Sequence, residues 1–194
     1  MNPKEYEQNV LITESCDFTP IKNRIDDRMI RLLHAGLGLS SELAELEAAM
    51  NKPELDLINI SEEAGDLYWY CAVAVNTLGF DHDGISVFEL DRPSNETLKE
   101  TISTSVWAVG EFNDLLKKHL FYGRELNMEK MSKTLRQLCM AVSGICVACG
   151  KTPAQVRETN INKLRARFGE KFTEAAALNR NLEVERKILE GETV

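Results

Sequence analysis

The sequence predicts an all-α protein, and three observations lead to that prediction. Apolar residues recur at spacings of three and four along most of the chain, whereas alternating two-residue patterns are scarce. Glycine and proline divide these periodic stretches into segments of helical length. At 194 residues, the chain has the length of one domain with a substantial apolar core. We therefore expect a single all-α domain over residues 1–194, with a four-helix-bundle core and further C-terminal helices.

The periodicity and its breaks predict six helices, at about residues 25–51, 55–78, 94–119, 127–149, 153–167 and 170–189. Thr152 before Pro153 is a start signal, because the hydroxyl caps free amides and proline fits the first helical turn. Gly79 and Gly150 are expected to end helices in the left-handed conformation. The first hairpin then covers about 25–79, the second about 94–150 and the C-terminal helices about 153–189.

The second hairpin shows a weak sequence similarity to the first. A shift of 71 residues places Ile60–Gly79 on Met131–Gly150, and most apolar positions then coincide. The same shift, or one of 69 residues, pairs the acidic positions Glu42 with Glu111, Glu45 with Asp114, Glu63 with Thr134 and Asp66 with Gln137. Amphipathic hairpins agree in part by chance, so a degenerate repeat and a coincidence both stay open.

Charge and cysteine usage limit the classes of partner. The formal net charge of −8, from 31 acidic and 23 basic residues, argues against a nucleic-acid partner. The five cysteines are odd in number and four lie in apolar helical stretches, which favours reduced thiols in a cytoplasmic protein. Cys146 and Cys149 form a C-x-x-C, but no second such pair or suitable histidine pair supports a zinc or redox site. The polar N-terminus and the short apolar runs predict neither secretion nor a membrane partner.

Two acidic pairs carry the chemistry that the sequence suggests. GLSSELAELEAAM places Glu42 and Glu45 three residues apart, and SEEAGDLYWYCA places Glu63 and Asp66 at the same spacing. Residues three apart share a helix face, and the turn around Pro53 allows an antiparallel return, so the four carboxylates are expected to converge. Such a cluster is unfavourable unless it is protonated or neutralised, and Mg²⁺ prefers oxygen ligands of this kind.

Two other interpretations of these acids compete with a magnesium site. A di-iron bundle site needs Glu-x-x-His pairs, and His34, His82 and His119 all lie elsewhere. A Glu-x-x-Glu is also common on a solvated helix face, and Glu62 shows that acids here need no special role. Two such pairs beside apolar residues favour a functional site without identifying the reaction.

The acidic motifs resemble those of the MazG-type pyrophosphohydrolases, all-α enzymes related to the dimeric dUTPases. LLHAGLGLSSELAEL followed by SEEAGDLYWYCA is similar to that family's Glu-x-x-Glu and Glu-x-x-Asp signature, and NINKLRARFGEKF is similar to its closing segment. KKHLFYGREL resembles a segment of phage and bacterial members with a longer second hairpin. The resemblance covers about residues 30–172, and Gly169 departs from it where proline is usual.

The resemblance implies roles for individual residues. Glu42, Glu45, Glu63 and Asp66 would be the catalytic residues and the ligands of Mg²⁺, with Mn²⁺ as a substitute. Glu42 is the residue that we expect to orient the water. Tyr70 is expected to stack on a base, whereas core packing is preferred for Trp69 and His34. The residues expected to bind phosphate, sugar or other parts of the substrate are Asn160, Lys163, Arg167, Lys118 and Tyr122. A solvated basic helix remains the alternative for Lys163 and Arg167.

The reaction that the resemblance implies is Mg²⁺-dependent hydrolysis of a nucleoside triphosphate to a monophosphate and pyrophosphate, which controls nucleotide pools in a bacterial or phage-infected cell. Related enzymes form dimers or tetramers, so a homo-oligomer is expected. The substrate stays open among dUTP, dCTP, purine and oxidised nucleotides and alarmones. Two alternatives also stay open: a nucleotide-binding regulator with weak catalysis, and a helical protein-interaction module.

Overall fold

The computed structural model describes residues 1–80, 97–169 and 171–192. Within these ranges the protein is all-helical, as the sequence predicts, and no β-strand is present. None of the described helices combines the length and the apolarity that a bilayer crossing requires. In chain order the helices are α1 (Pro3–Thr13), α2 (Thr19–Lys22), α3 (Asp27–Met50), α4 (Leu57–Leu78), α5 (Leu98–Tyr122), α6 (Met128–Ala148), α7 (Pro153–Phe168), α8 (Glu174–Leu178) and α9 (Leu182–Glu190).

Two antiparallel hairpins form the bundle, because α3 packs on α4 and α5 packs on α6. The hairpins join through contacts of α4 with α6 and of α3 with α5. One continuous apolar cluster fills the interior, with Leu39 of α3, Leu67 of α4, Phe112 of α5 and Leu138 of α6 fully buried. Burying these apolar faces supplies the main favourable free energy of the fold. The predicted bundle core with added C-terminal helices is confirmed.

The helix ends follow the signals in the sequence. Asp56 caps α4 by accepting from the backbone N–H groups of Ile58 and Asn59. Gly79 ends α4 with a φ of 73°, and Gly150 follows α6 with a φ of 72°, so both adopt the left-handed conformation as predicted. Thr152 caps α7 in a reciprocal capping box with Gln155. The two N-terminal caps fix where α4 and α7 begin.

Three parts of the helix prediction differ from the structure. The short helices α1 and α2 were not predicted, and both lack buried residues. The prediction of one helix at 170–189 is wrong, because α8 and α9 are separate helices and residues 179–181 between them are not helical. The predicted start of the third helix at 94 and the position of His82 lie outside the described residues, and α5 itself extends to Tyr122.

The C-terminal helices pack over the first hairpin. Helix α7 lies on α4, and α9 contacts both α7 and α4. Arg186 of α9 donates to the α4 cap residue Asp56 at 2.7 Å, and this hydrogen bond is the main cause of the lowered pKa of Asp56. Lys151 Nζ donates to Ser61 Oγ at 2.9 Å and to the Leu189 carbonyl at 3.4 Å. The C-terminal part of the chain therefore faces the helix that carries Glu63 and Asp66.

Candidate functional site

A cleft of about 790 Å³ lies between the acidic faces of α3 and α4 and the C-terminal segment from α7 to the start of α9. Its lining combines carboxylates with cations and aromatic rings, a composition suited to a charged, partly aromatic ligand. The carboxylates are Glu42, Glu45, Glu62, Glu63 and Asp66; the cations are Arg165, Arg167, Lys171 and Arg180; the rings are His34, Trp69, Tyr70, Phe168 and Phe172.

Three of the four predicted metal ligands converge in this cleft. One carboxylate oxygen from each of Glu42, Glu45 and Glu63 lies within 4.8 Å of the others. Glu42 and Glu45 are one turn apart on α3, and Glu63 faces them from the neighbouring helix α4. Asn59, one turn before Glu63, donates to its Oε1 at 3.3 Å. We call Glu42, Glu45 and Glu63 the carboxylate triad.

Burial and mutual repulsion disfavour ionisation of the carboxylate triad. Burial, followed by repulsion from Glu62 and Glu45, raises the pKa of Glu63 to about 8. Burial, followed by repulsion from Asp66 and Glu45, raises the pKa of Glu42 to about 7. The Glu63 side chain is only 7% exposed, so water screens this repulsion poorly. At neutral pH the triad must therefore hold protons or a cation.

Asp66 lies beside the triad but is held by residues from α7. Asn160 Nδ2 donates to its Oδ1 at 2.6 Å, and Lys163 Nζ donates to its Oδ2 at 2.6 Å. Lys163 also pairs with Glu62 at 3.1 Å and is 1% exposed. A carboxylate oxygen accepts more than one bond, so the role of Asp66 as a fourth ligand stays a prediction.

Asn160 and Lys163 are buried between α7 and α4, and neither lines the cleft. Their contact with phosphate or sugar therefore stays a prediction. Gly65 allows this arrangement, because a Cβ there would lie 3.0 Å from the Asn160 Cβ. The close approach of α7 to α4 at Gly65 turns Asn160 and Lys163 toward Asp66. Their contacts in the structure orient a carboxylate.

Arg167, a predicted substrate-binding residue, lines the cleft, and a carboxylate of α9 holds its guanidinium group. Its Nε and Nη2 donate to Glu185 of α9 at 2.8 Å and 2.6 Å. Arg180 Nη2 donates to the same carboxylate at 2.7 Å. Burial opposes the shift, but the hydrogen bonds from Arg167 and Arg180 hold the pKa of Glu185 below its usual value. Two arginines at the cleft thus share one buried carboxylate.

Aromatic rings occupy the α3–α4 end of the cleft. Tyr70 packs edge-on against His34, with ring centroids 5.4 Å apart, and against Trp69 at 4.9 Å. Gly38 makes room for this ring, since a Cβ there would overlap it. Burial, followed by the nearby Glu42 charge, raises the pKa of Tyr70. The sequence alone favours core packing for Trp69 and His34, but Trp69 is half-buried, His34 is exposed and both line the cleft, so that expectation is corrected.

Lys118 and Tyr122 lie at the C-terminal end of α5 and do not line the cleft. Lys118 pairs with Asp114 one turn earlier in the same helix. Tyr122 is 66% exposed. Within one chain, the structure therefore does not bring these two predicted substrate contacts to the other site residues.

Sequence reasoning missed Glu62, Arg180 and Glu185. Glu62 was taken as an acid without a special role, yet it lines the cleft and pairs with Lys163. Arg180 and Glu185 are five residues apart, a spacing that does not share a helix face, and only the break before α9 lets them meet. A continuous helix over 170–189, as predicted, would keep these two side chains on different faces, so the contact was not expected.

Comparison of the chain with protein-family models, curated proteins and solved structures returns no match. The fold and the cleft define a helical protein in which a carboxylate triad and a group of cations line one cleft.

Proposed function

We propose that this protein is a Mg²⁺-dependent nucleoside triphosphate pyrophosphohydrolase of the MazG type. The observation that carries the proposal is the carboxylate triad, whose oxygens lie within 4.8 Å of one another in a cleft of nucleotide size. The Glu-x-x-Glu and Glu-x-x-Asp motifs that provide these acids are the ones that resemble that family.

The residues of the triad fit a hard divalent cation. Three carboxylate oxygens lie close enough to share one ion, and oxygen donors of this kind suit Mg²⁺, with Mn²⁺ as a substitute. The raised pKa values of Glu42 and Glu63 indicate that the cluster needs positive charge to ionise fully at neutral pH. Glu42, Glu45 and Glu63 would hold the ion, with Asp66 as a further ligand oriented by Asn160 and Lys163.

In the proposed reaction, the oxygen of a water attacks the α phosphorus, and the bond from that phosphorus to the bridging oxygen breaks. The water's proton passes to a carboxylate and then to solvent, and pyrophosphate leaves. Bound Mg²⁺ would lower the pKa of a water and offset the negative charge of the phosphates. Because phosphoryl chemistry depends mainly on positioning and electrostatics, no covalent nucleophile is required.

Individual residues divide these tasks. Glu42 orients the attacking water, because it belongs to the triad and also lines the cleft next to the aromatic group. Arg167 contacts the phosphates from the opposite wall. Tyr70, whose ring lines the cleft near Glu42, offers a face or edge to the base.

The test is a panel of nucleoside triphosphates, deoxynucleotides and alarmones incubated with the protein and Mg²⁺, then with excess chelator. We expect at least one nucleotide to give equal amounts of monophosphate and pyrophosphate, and chelator to abolish the reaction. Release of orthophosphate would contradict the assigned bond. Saturable Mg²⁺-dependent nucleotide binding without any product would support the alternative of a nucleotide-binding regulator. Absence of both Mg²⁺ and nucleotide binding would support an interaction module.

A further inference from the structure

Glu185 is an unusual carboxylate, because it is 3% exposed and binds two guanidinium groups from different segments. Arg167 comes from the last turn of α7, and Arg180 from the break between α8 and α9. Both arginines line the cleft, and Glu185 lies behind them. Because a buried carboxylate paired with guanidinium groups adds little net stability, the orientation that it imposes on the two arginines is its more informative property.

Each arginine keeps hydrogen-bond donors for a ligand. A guanidinium has five N–H donors in a fixed plane, and both Arg167 and Arg180 use Nε and Nη2 to bind Glu185. Among the described residues, none accepts a hydrogen bond from either Nη1. Side chains fixed in this way lose little conformational entropy when they bind phosphate.

Arg180 also lies close to the metal-binding side of the cleft. Its Nη2 is 3.7 Å from Glu62 Oε1, and Glu62 precedes the triad residue Glu63. Arg165 and Lys171 line the cleft as well, but among the described residues neither forms an ion pair with a carboxylate. Arg167 and Arg180 are therefore the two cations of the cleft that a buried carboxylate holds in place.

We propose that Arg180 and Arg167 together seat the terminal phosphates of the triphosphate, which become the leaving pyrophosphate, and that Glu185 is the positioning residue that holds both guanidinium groups. This inference rests on the proposed function. The negative charge that develops on the leaving group is offset by two arginines that already have their bound orientation.

The experiment measures binding of the Mg²⁺ complexes of inorganic pyrophosphate and of an α,β-methylene triphosphate analogue to the full chain by calorimetry. Arg180→Ala is expected to weaken both complexes by about tenfold or more, because a charge-assisted hydrogen bond to phosphate is lost. Arg180→Lys should recover part of that loss, since it keeps the charge without the fork. Glu185→Gln should raise KM more than it lowers kcat, while Mg²⁺ binding in the absence of nucleotide stays unchanged.

Arg186→Ala is the matched control. The Arg186 side chain is 41% exposed, as is that of Arg180, and it anchors α9 through Asp56 without lining the cleft. We expect this variant to lower the melting temperature and leave pyrophosphate affinity within about twofold of wild type. Equal losses of affinity in Arg186→Ala and Arg180→Ala would overturn the proposal in favour of a purely structural role.

The inference and the proposed function fail in different ways. If the wild type turns over a nucleotide but Arg180→Ala binds pyrophosphate normally, the phosphate seat is wrong and the enzymatic assignment stands. If the wild type binds the analogue in an Arg180-dependent way but never releases pyrophosphate, the seat stands and the enzymatic assignment is wrong.

Discussion

Both hairpins of the bundle carry acids, but the surroundings of these acids differ. In the first hairpin, Glu42 and Glu63 face other carboxylates, and their pKa values rise to about 7 and about 8. In the second hairpin, Asp114 pairs with Lys117 and Lys118, whose hydrogen bonds lower its pKa to about 2. Glu111, which the 69-residue shift of the sequence aligns with Glu42, pairs with Lys130.

The difference shows how an acidic helix face can be told from a metal site. Acids that have lysine partners within the chain need no further cation, and they behave as ordinary surface ion pairs. Acids gathered without such partners in a cleft leave a charge that an outside ion can offset. The lysines of the second hairpin thus take the place that we assign to Mg²⁺ in the first.

The largest expected effect comes from removing single carboxylates. Glu63→Gln should reduce Mg²⁺-dependent pyrophosphate release by more than about 100-fold, because a ligand of the cation is lost. Asp66→Asn should act similarly, and circular dichroism should show that both variants keep their helices. Glu111→Gln is the matched control and should retain turnover within about twofold. An equal loss in Glu111→Gln would contradict the distinction between the hairpins.

Between pH 5 and 8.5, the stability of the protein should depend on the ionisation of Glu42 and Glu63 in the first hairpin. Glu42 and Glu63 have pKa values raised from 4.5, so the stability they contribute is complete below that value and is lost as pH rises through about 7 and 8. Metal-free protein should therefore melt at progressively lower temperature between pH 5 and 8.5, as measured by calorimetry with chelator.

Mg²⁺ should reverse this trend, because the ionised carboxylates bind it and stabilise the folded state. Glu63→Gln should flatten the metal-free profile. Asp114 should not contribute in this range, because its lowered pKa affects stability only as pH falls from 3.8 toward 2. A metal-free profile that rises toward pH 8.5 would contradict the repulsion within the triad.

Replacing a glycine in each hairpin should change the free energy of unfolding by a smaller amount, and in opposite directions. Gly65→Ala should lower the free energy of unfolding by about 1 kcal/mol, since the added methyl presses on the Asn160 Cβ and α7 must shift. Gly110→Ala in α5 should raise it by about 0.5–1 kcal/mol, because alanine favours helix and its Cβ meets no atom within 4 Å. Urea unfolding measures both, and turnover should fall only in Gly65→Ala.

The smallest expected effect is that of Lys118→Ala. Lys118 pairs with Asp114 away from the cleft, so KM should stay within about twofold of the wild-type value. Steady-state kinetics with the preferred nucleotide provides the measurement. A clear rise in KM would instead restore the sequence-based prediction that the end of α5 contacts substrate.

Features set by local sequence were predictable, whereas packing between distant segments was not. Helices α3 to α7 follow their apolar periodicity, and the i, i+3 spacing correctly places Glu42 and Glu45 on one face. Helix α1 has no buried residue, so periodicity did not reveal it, although its Asn2–Glu5 capping box is visible in the sequence. The inward turn of Lys163 depends on how α7 crosses α4, which the spacing of residues does not specify.

The hydrogen bonds to Asp66 also bear on the order in which the protein folds. They join residues 94 and 97 positions apart, so the acids of α3 and α4 leave the ribosome long before Asn160 and Lys163 do. Until α7 docks, Asp66 lacks the two side chains that donate hydrogen bonds to it, and closing so long a loop is entropically costly. The nascent first hairpin is therefore expected to remain loosely formed, and the cleft to mature only after synthesis has passed α7.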